Sequence, residues 1–416
     1  MPDVELRRIL RLVSARSLNT FGRGILNTTV SWELYERTGS KLVLAAVGFA
    51  QVVPVVLLFV PAGTLVDRSD RRTLATLAAT TTGLLGLGLA LTSALGAPIA
   101  LYYLFLLAQG CVTAIHAPAV ASLLPLIIAR DHLTRANRIS ASFQELAQII
   151  GPTLAGLALT FVAASWIYAV LAVTGIAAGA LYRSLPKPRA IEPSLPNARV
   201  ASGGSGPSER KDWRVGLRFI FQSPLLLPAL TLDMFAVLFA GVSALLPAVA
   251  KDILHVHALG FGILKAAQSA GAVAMALIGG RIPAWKRPGR VLLIVVALFG
   301  LATIGFGLST SFPLSLALLV LCGSLDNISV VIRLTLEQMV VPDRIRGRVS
   351  AVHYVFIGMS NELGGAESGV AAYALGTVAA IVAGGALAVI VVGIVALKWR
   401  ALANMPPLAE LQPARE

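Results

Sequence analysis

The sequence predicts an all-α membrane protein in which twelve transmembrane helices form two pseudo-symmetric six-helix bundles. Three observations support this fold class. Hydrophobic residues make up 56% of the 416 residues and charged residues only 13%, against roughly 25% charged in an ordinary soluble domain. Apolar runs longer than about 18 residues recur along nearly the whole chain. A polar segment near the middle divides these runs into two sets of six.

The apolar runs predict helices rather than the strands of a barrel. A membrane strand would alternate apolar and polar residues over about ten positions, whereas the run from Leu42 to Val66 is continuously apolar. Gly, Pro and charge clusters interrupt the runs. They place twelve spans, numbered 1 to 12, at about 9–35, 42–65, 73–95, 99–128, 136–163, 166–184, 225–250, 259–282, 289–310, 313–340, 347–375 and 377–397.

The composition changes between Pro186 and Asp212, where Pro, Ser, Gly and charged residues predominate, as in a flexible linker. The sequence therefore predicts an N-terminal bundle at 1–185, a cytoplasmic linker at 186–222, a C-terminal bundle at 223–400 and a cytoplasmic tail at 401–416. Residues 213–222 alternate basic and apolar side chains, which fits either a helix on the inner membrane surface or a lead-in to span 7. TRANRISAS after span 4 and RIRGRVSAV after span 10 form a weak internal repeat, as expected of a duplicated transporter.

Lysine and arginine fall almost entirely in alternate connections. They occupy the N-terminus and the loops after spans 2, 4, 6, 8 and 10, whereas the connections near residues 95 and 312 carry few or none. By the positive-inside rule, both termini are cytoplasmic in a bacterial inner membrane. The net charge of +14 then reflects topology rather than nucleic-acid binding. Arg16, Asn19 and Arg23 interrupt the first apolar run, which argues against a cleaved signal peptide.

The sequence argues against several classes of function. It contains no phosphate-binding loop G-x-x-x-x-G-K-S/T, so direct driving by ATP is not expected. It contains neither H-E-x-x-H nor a Cys/His cluster, and its two cysteines, Cys111 and Cys322, lie within apolar runs. We therefore expect no enzyme activity, no cofactor and no metal. The expected partners are a small-molecule substrate, protons and membrane lipids, with the chain acting as a monomer.

The loop between spans 2 and 3 carries the strongest motif, GTLVDRSDRR from Gly63 to Arg72. Its first glycine permits close helix approach, its aspartate can accept hydrogen bonds, and its arginines can anchor at lipid headgroups. The segment resembles the signature G-x-L-x-D-R-x-x-R-R of the major facilitator superfamily, at the expected place in a twelve-span chain. The resemblance implies a gate latch between the halves that includes Gly63, Asp67, Arg68, Arg71 and Arg72.

Further matches resemble exporters of this superfamily. GPTLAG, starting at Gly151 and Pro152 in span 5, is similar to the G-P-x-x-G-G end of the exporter motif, although Arg138 and Ala147 stand where upstream glycines are expected. WELYERTGS, PDRIRGRVSAV and SNELGGAESG resemble the subgroup of enterobactin-type siderophore exporters and macrolide efflux proteins. One position departs from the drug exporters: the arginine of their span-4 motif R-x-x-Q-G is Leu106 here, so the usual coupling arginine is missing.

Polar side chains form stripes on four spans. At 100° per residue each stripe lies on one helix face, and ionisable groups at membrane depth usually face a cavity or a partner. The resemblance implies that these four spans line a central cavity. The stripes are Arg16, Asn19, Arg23 and Asn27 on span 1; Gln109, Thr113 and His116 on span 4; Asp233 on span 7; and Asp326, Arg333 and Glu337 on span 10.

We expect three roles for these residues and their neighbours. Asp326, near mid-span, is the first candidate to carry a proton, followed by Asp233, Glu362 and His116. The substrate cavity is expected to include Arg16, Asn19, Arg23, Asn27, Gln109, Thr113 and Arg333. The gate is expected to include Glu145, Gly151, Pro152 and Glu337 besides the loop after span 2.

Alternative roles stay open for several of these residues. Arg16 can equally snorkel to the interface, and His116 can be a packing histidine. Asp233 can latch the gate instead of carrying a proton. Arg333 and Glu337 lie four residues apart and can pair with each other.

The sequence thus predicts a secondary transporter of the inner membrane that works by alternating access. The favoured activity is proton-coupled export of a small amphipathic molecule, a siderophore or a drug, in which protonation of Asp326 weakens an ion pair to Arg23 or Arg333. Two alternatives stay open: a lipid or lysophospholipid flippase of the same fold, and a receptor or scaffold without transport. The charge of the substrate stays open too, because the arginines favour an anionic or catecholate-like cargo and the carboxylates a cationic one.

Overall fold

All regular structure is helical in the part of the chain that the computed structural model describes, which is residues 3–128, 130–186, 213–279 and 285–411. The all-α prediction is therefore confirmed. The helices fall at the twelve predicted spans, with bounds that differ from the prediction by a few residues at most ends. Most of the predicted linker, at 187–212, lies outside the described residues.

The helices of the two halves follow the predicted order. Spans 1 to 6 are Asp3–Thr38, Lys41–Arg68, Arg71–Ala94, Ile99–Ile127, Arg130–Phe161 and Ala164–Arg183. A ten-residue helix, Trp213–Gln222, precedes the second half. Spans 8 to 12 are Ala258–Gly279, Pro288–Leu308, Phe312–Val340, Asp343–Leu375 and Thr377–Lys398.

Span 7 is broken into four short pieces. Its α-helix Leu226–Ala240 ends at Gly241, and a 3₁₀ turn, Val242–Ala244, follows. A short α-helical turn, Leu246–Ala248, then runs into the π-helix Val249–Ile253. Such breaks leave backbone groups without their usual helical partners, and in membrane proteins they occur where protein or water surrounds the chain.

Nine helical stretches of the described residues are long and apolar enough to cross a membrane. Spans 1, 5 and 11 are not among them, although their helices are 36, 32 and 33 residues long. Span 1 carries the polar stripe, and spans 5 and 11 begin with arginine-rich segments, which lowers their hydropathy. Polar spans of this kind are stable in a bilayer when their polar faces contact protein or water.

The chain divides into two compact units. Unit 1 comprises Met1–Ala190 and Ser243–Ser269, and unit 2 comprises Ile191–Val242 and Ala270–Glu416. The division therefore passes through spans 7 and 8, whose adjoining ends belong to unit 1. The predicted domain boundaries, which cut the chain only at the linker, stay a prediction.

Glycines pack equivalent helix pairs in the two units. In unit 1, a Cβ on Gly83 of span 3 would meet the Ala172 carbonyl oxygen of span 6 at 2.8 Å. In unit 2, a Cβ on Gly300 of span 9 would meet the Gly385 carbonyl oxygen of span 12 at 2.9 Å. Small residues at such crossings let helix backbones approach closely in a membrane. Spans 3 and 6 correspond to spans 9 and 12 in a duplicated chain, so this packing supports the predicted pseudo-symmetry.

The predicted tail packs on unit 2 as far as it is described, to residue 411. It begins with the short helix Arg400–Ala403 and includes the 3₁₀ turn Leu408–Glu410. Leu402 and Met405 are buried in the same apolar core as Leu292 of span 9. The described part of the tail therefore covers part of unit 2.

Candidate functional site

The polar stripe of span 1 places two arginines and two asparagines on one face of a membrane helix. Arg16, Asn19, Arg23 and Asn27 are all half-buried, while Leu12, Leu26 and other residues on the remaining faces are fully buried. The helix thus directs its polar face toward a less crowded region and its apolar faces into the bundle. This arrangement is what a span beside an aqueous cavity requires.

Span 4 brings His116 close to this stripe. Arg16 and Arg23 are near enough for their positive charges to act on the His116 imidazole. The His116 ring packs edge-on against Tyr182 of span 6, with centroids 5.7 Å apart. His116 of span 4 therefore lies near two arginines of span 1 within unit 1, and the wider convergence of the stripes stays a prediction.

Gln109 and Thr113, the other predicted polar residues of span 4, have surroundings that differ from those of His116. Gln109 is buried, and its Nε2 donates to Thr82 Oγ1 of span 3 at 3.2 Å. Thr113 is half-buried. Leu106, at the position of the missing arginine, is fully buried in an apolar cluster with Leu89 and Tyr102. A charged residue there would lack a partner in that cluster, so the substitution suits its local packing.

The exporter-like motif of span 5 packs directly against span 1. A Cβ on Gly151 would meet the Phe21 carbonyl oxygen at 2.8 Å, and a Cβ on Gly24 would meet the Pro152 ring at 2.9 Å. Span 5 therefore packs closely against span 1 at Phe21 and Gly24. The side chain of Glu145, another gate candidate of span 5, is not among those described.

Among the described contacts, Asp70 and Arg72 hold the loop after span 2. Asp70 caps span 3: its Oδ1 accepts from the Arg72 backbone N–H at 3.1 Å, and its Oδ2 accepts from Thr73 Oγ1 at 2.8 Å. The Arg72 guanidinium donates to the Leu185 carbonyl oxygen at 2.5 Å, which ties the loop to the end of span 6. Arg71 is half-buried and Arg68 is exposed.

The close helix approach expected at Gly63 stays a prediction. A Cβ placed on Gly63 would have no described atom within 4 Å, because the surrounding space is open. The side chain of Asp67 lies outside those that the structure describes. The gate role of this loop stays a prediction.

In unit 2, spans 7 and 10 are joined by a buried ion pair. Arg333 forms a salt bridge with Asp233, and their side chains are only 3% and 9% exposed. The Arg333 Nε also donates to the Ser329 carbonyl oxygen one turn earlier, at 3.2 Å. A guanidinium and a carboxylate at this depth depend on each other, because removal of either leaves an unpaired buried charge.

Asp326 lies beside this pair. A small cavity of about 10 Å³, room for about one water molecule, is lined by both Asp233 and Asp326, together with Phe299 and Ser329. Asp326 is half-buried. The structure therefore places two of the candidate proton carriers at one cavity, next to the arginine that one of them binds.

Glu337 has a partner that the sequence analysis missed. Its Oε2 lies 2.5 Å from Nδ1 of His353 on span 11, and both side chains are buried. Among the contacts described, Arg333 pairs with Asp233 and Glu337 with His353, whereas a pairing of Arg333 with Glu337 along span 10 stays a prediction. Pairs between helices are favoured here because both side chains point into the bundle. The side chain of Glu362 is not among those described.

A second centre, around Glu33 of span 1, was also missed. Its Oε1 accepts from Ser93 Oγ at 2.7 Å and Tyr102 OH at 2.8 Å, and its Oε2 accepts from Tyr168 OH at 2.9 Å. The Arg37 guanidinium lies 2.6 Å from the same carboxylate. The spacing of Glu33 and Arg37 was a visible signal, but the three hydroxyls come from spans 3, 4 and 6 and only folding unites them. These contacts fasten four spans of unit 1 together.

No group of three or more His, Cys, Asp or Glu side chains suitable for a metal occurs in the described ranges. The polar centres of both units consist instead of paired charges and hydroxyls.

The profile of the Major Facilitator Superfamily matches residues 12–365. The enterobactin exporter EntS of Citrobacter koseri is 29% identical over 345 residues, which cover 81% of this chain and 79% of that protein. An enterobactin exporter EntS of Escherichia coli is 28% identical over the same length and coverage.

Solved transporter structures share the fold. A bacterial homologue of the human lysosomal transporter Spinster, in an inward-facing and unoccupied conformation, has a TM-score of 0.73 at 16% identity and covers 97% of this chain and 98% of its own. A bacterial metal transporter has a TM-score of 0.66 at 16% identity, covering 95% and 99%. These likenesses confirm two six-helix bundles of transmembrane helices. The chain is an integral membrane transporter, not an enzyme, and it belongs to the Major Facilitator Superfamily.

Proposed function

We propose that the chain is a proton-coupled exporter of a small amphipathic molecule, working by alternating access as a monomer in a bacterial inner membrane. The relatives named enterobactin exporters, at 28–29% identity, support export of a siderophore-like compound. The arginine-rich alternate loops support an orientation with both termini in the cytoplasm. The proposed partners are a small-molecule substrate, protons and membrane lipids.

The polar centre of unit 1 supports an anionic cargo over a cationic one. Arg16 and Arg23 carry positive charge, and Asn19 and Asn27 add hydrogen-bonding groups on the same helix face. Glu33, the buried carboxylate of span 1, is already engaged by three hydroxyls and a guanidinium. Guanidinium groups bind carboxylates and other oxyanions strongly. An acidic or catecholate-like siderophore fits this centre better than a cationic drug.

The buried pair of Asp233 and Arg333 beside Asp326 is the observation that carries the proton coupling. Protonation of either carboxylate lowers the negative charge that holds the Arg333 guanidinium. The pair then costs more to keep buried, and the equilibrium between inward-open and outward-open forms shifts. Since Arg333 binds Asp233, we place the ion-pair step at Asp233 and a second proton site at Asp326. Glu337, one helical turn further along span 10, and its partner His353 would respond to the same shift in equilibrium.

The proposal is tested in proteoliposomes that contain the purified chain and a catecholate siderophore, with an imposed pH gradient. We expect Asp326→Asn and Asp233→Asn to lower gradient-driven transport at least about tenfold, while exchange of substrate without a gradient persists. Glu410→Gln, at an exposed carboxylate of the tail, serves as the control and should transport normally. Full gradient-driven transport by Asp326→Asn would remove that residue from the mechanism.

A deletion strain identifies the cargo. Loss of export should be measured across siderophores, macrolides and dyes, and we expect the largest loss for an anionic siderophore. Translocation of fluorescent lipid without a proton gradient would favour a flippase instead. Unchanged accumulation of every compound would favour a receptor or scaffold.

A further inference from the structure

The adjoining ends of spans 7 and 8 form one segment, residues 243–269, that belongs to unit 1. The rest of both spans belongs to unit 2. Span 7 is interrupted where the segment begins, at Gly241, and continues as the π-helix Val249–Ile253. π-Helical turns are rare and occur frequently at functional sites. The break in span 7 therefore lies close to the boundary between the two units, which falls after Val242.

A hydrogen bond fastens this segment to span 1. The Tyr35 hydroxyl donates to Oδ2 of Asp252, which lies within the π-helix. Tyr35 is 2% exposed, whereas Asp252 is exposed. The Tyr35 ring also packs with Leu44 and Ala248 in a small buried cluster. A buried phenol thus reaches out to a carboxylate at the surface.

Two further contacts hold the same segment. The ring of Trp32, three residues before Tyr35, stacks on Phe261 with centroids 5.2 Å apart and planes inclined by 23°. Gly156 of span 5 and Gly262 of span 8 lie so close that a Cβ on either would overlap the backbone of the other. One polar contact, one aromatic contact and one backbone contact therefore join the segment to spans 1 and 5.

We propose that Tyr35 and Asp252 are positioning residues of the transport cycle. Their hydrogen bond latches the 243–269 segment onto spans 1 and 5, and it breaks when the transporter opens on the side opposite the arginine-rich loops. This inference rests on the alternating access of the proposed function, but not on its substrate or its protons. The contacts suit a reversible latch. A single hydrogen bond with one exposed partner is worth about a two- to twelvefold change in an equilibrium, enough to bias two states without freezing one.

Cysteine accessibility tests the latch directly. Cys111 and Cys322 are first replaced by alanine, and Ala248→Cys then places a thiol beneath Tyr35, where the side chain is fully buried. A membrane-impermeant maleimide is applied to intact cells. We expect Tyr35→Phe to speed labelling about three- to tenfold, because the phenyl ring keeps its packing and loses only the hydrogen bond. Tyr103→Phe is the matched control, since the Tyr103 hydroxyl bonds the Val43 carbonyl between spans 4 and 2.

A double-mutant cycle separates the latch from a general loss of structure. Asp252→Ala alone should speed labelling as much as Tyr35→Phe, and the double variant should add little more, because both remove one bond. Leu44→Cys, in the same cluster, is the second reporter if Ala248→Cys fails to assemble. Labelling of both reporters at the rate of the Tyr103→Phe control would overturn the latch. The assay needs no substrate. Its result therefore tests the latch even if the chain does not export a siderophore.

Discussion

At the scale of single residues, three described ionisable groups of the membrane-spanning helices have partners on another helix. Glu33 has three hydroxyls and Arg37, Arg333 has Asp233, and Glu337 has His353. The Glu33 centre is fully hydrogen-bonded and serves packing. The Arg333 pair adjoins a cavity and a second carboxylate, so it can change its charge and its contacts. In the proposed mechanism, the Glu33 centre packs unit 1 and the Arg333 pair of unit 2 responds to protons.

The Glu33 centre predicts a large loss of stability on neutralisation. Glu33→Gln puts an amide N–H₂ where hydroxyl donors now point and leaves Arg37 without its carboxylate, so we expect the free energy of unfolding to fall by about 3 kcal/mol. The measurement is unfolding in detergent micelles, followed by circular dichroism. Glu36→Gln, at an exposed position of the same helix, is the control and should change little. An equal fall in the free energy of unfolding at both positions would mean that the Glu33 hydrogen bonds do not stabilise the fold.

At the scale of helices, close glycine contacts set the distance between paired spans. Spans 3 and 6 meet at Gly83 and Gly175, and spans 9 and 12 meet at Gly300 and Gly385. Backbone atoms on both sides of these contacts cannot turn aside as a long side chain can. Each pair can therefore pack at a short distance between helix axes.

Gly83→Ala is expected to disturb the pair of spans 3 and 6. Its Cβ would lie 2.8–2.9 Å from backbone atoms of Ala172 and Ile176, so the helices must separate at a cost of about 1–3 kcal/mol. Thermal unfolding of the purified variant measures this cost. Gly393→Ala in span 12 is the control, because its Cβ would have no described atom within 4 Å, and alanine favours the helix there. A Gly83 variant as stable as this control would contradict the assigned packing.

At the scale of the whole molecule, charge distribution and hydropathy together predict the orientation in the membrane. The arginine-rich loops follow even-numbered spans, whereas the opposite loops near residues 95, 162, 310 and 376 carry no charged residue. The protein also carries a high mean hydropathy of +0.81. Insertion then leaves the basic loops on the cytoplasmic side, since translocation of short basic loops is disfavoured.

Reporter fusions check this orientation. A fluorescent protein fused after residue 416 should be fluorescent, and alkaline phosphatase fused there should be inactive, because both report a cytoplasmic C-terminus. Phosphatase inserted at the loop near Gly96 should be active. Active phosphatase at the C-terminus would reverse the proposed topology and with it the direction of transport.

The sequence by itself determined the helices and their order. Long apolar runs set the spans, because a bilayer accepts only segments that satisfy their own backbone, and interruptions by Gly, Pro and charge marked their ends. It also indicated the family through the loop from Gly63 to Arg72, and it indicated which faces of spans 1, 4, 7 and 10 are polar. These are local properties, fixed by residues within a few turns of one another.

Only the tertiary structure decided which charges meet. Helical periodicity shows that Arg333 and Glu337 share a face, but not that Asp233 and His353, from other spans, lie opposite them. Likewise it gave no sign that hydroxyls of three spans surround Glu33, or that the ends of spans 7 and 8 pack with spans 1 and 5. Such partners are distant in sequence, and they are selected by the packing of whole helices, where an unpaired buried charge costs more than any local preference supplies.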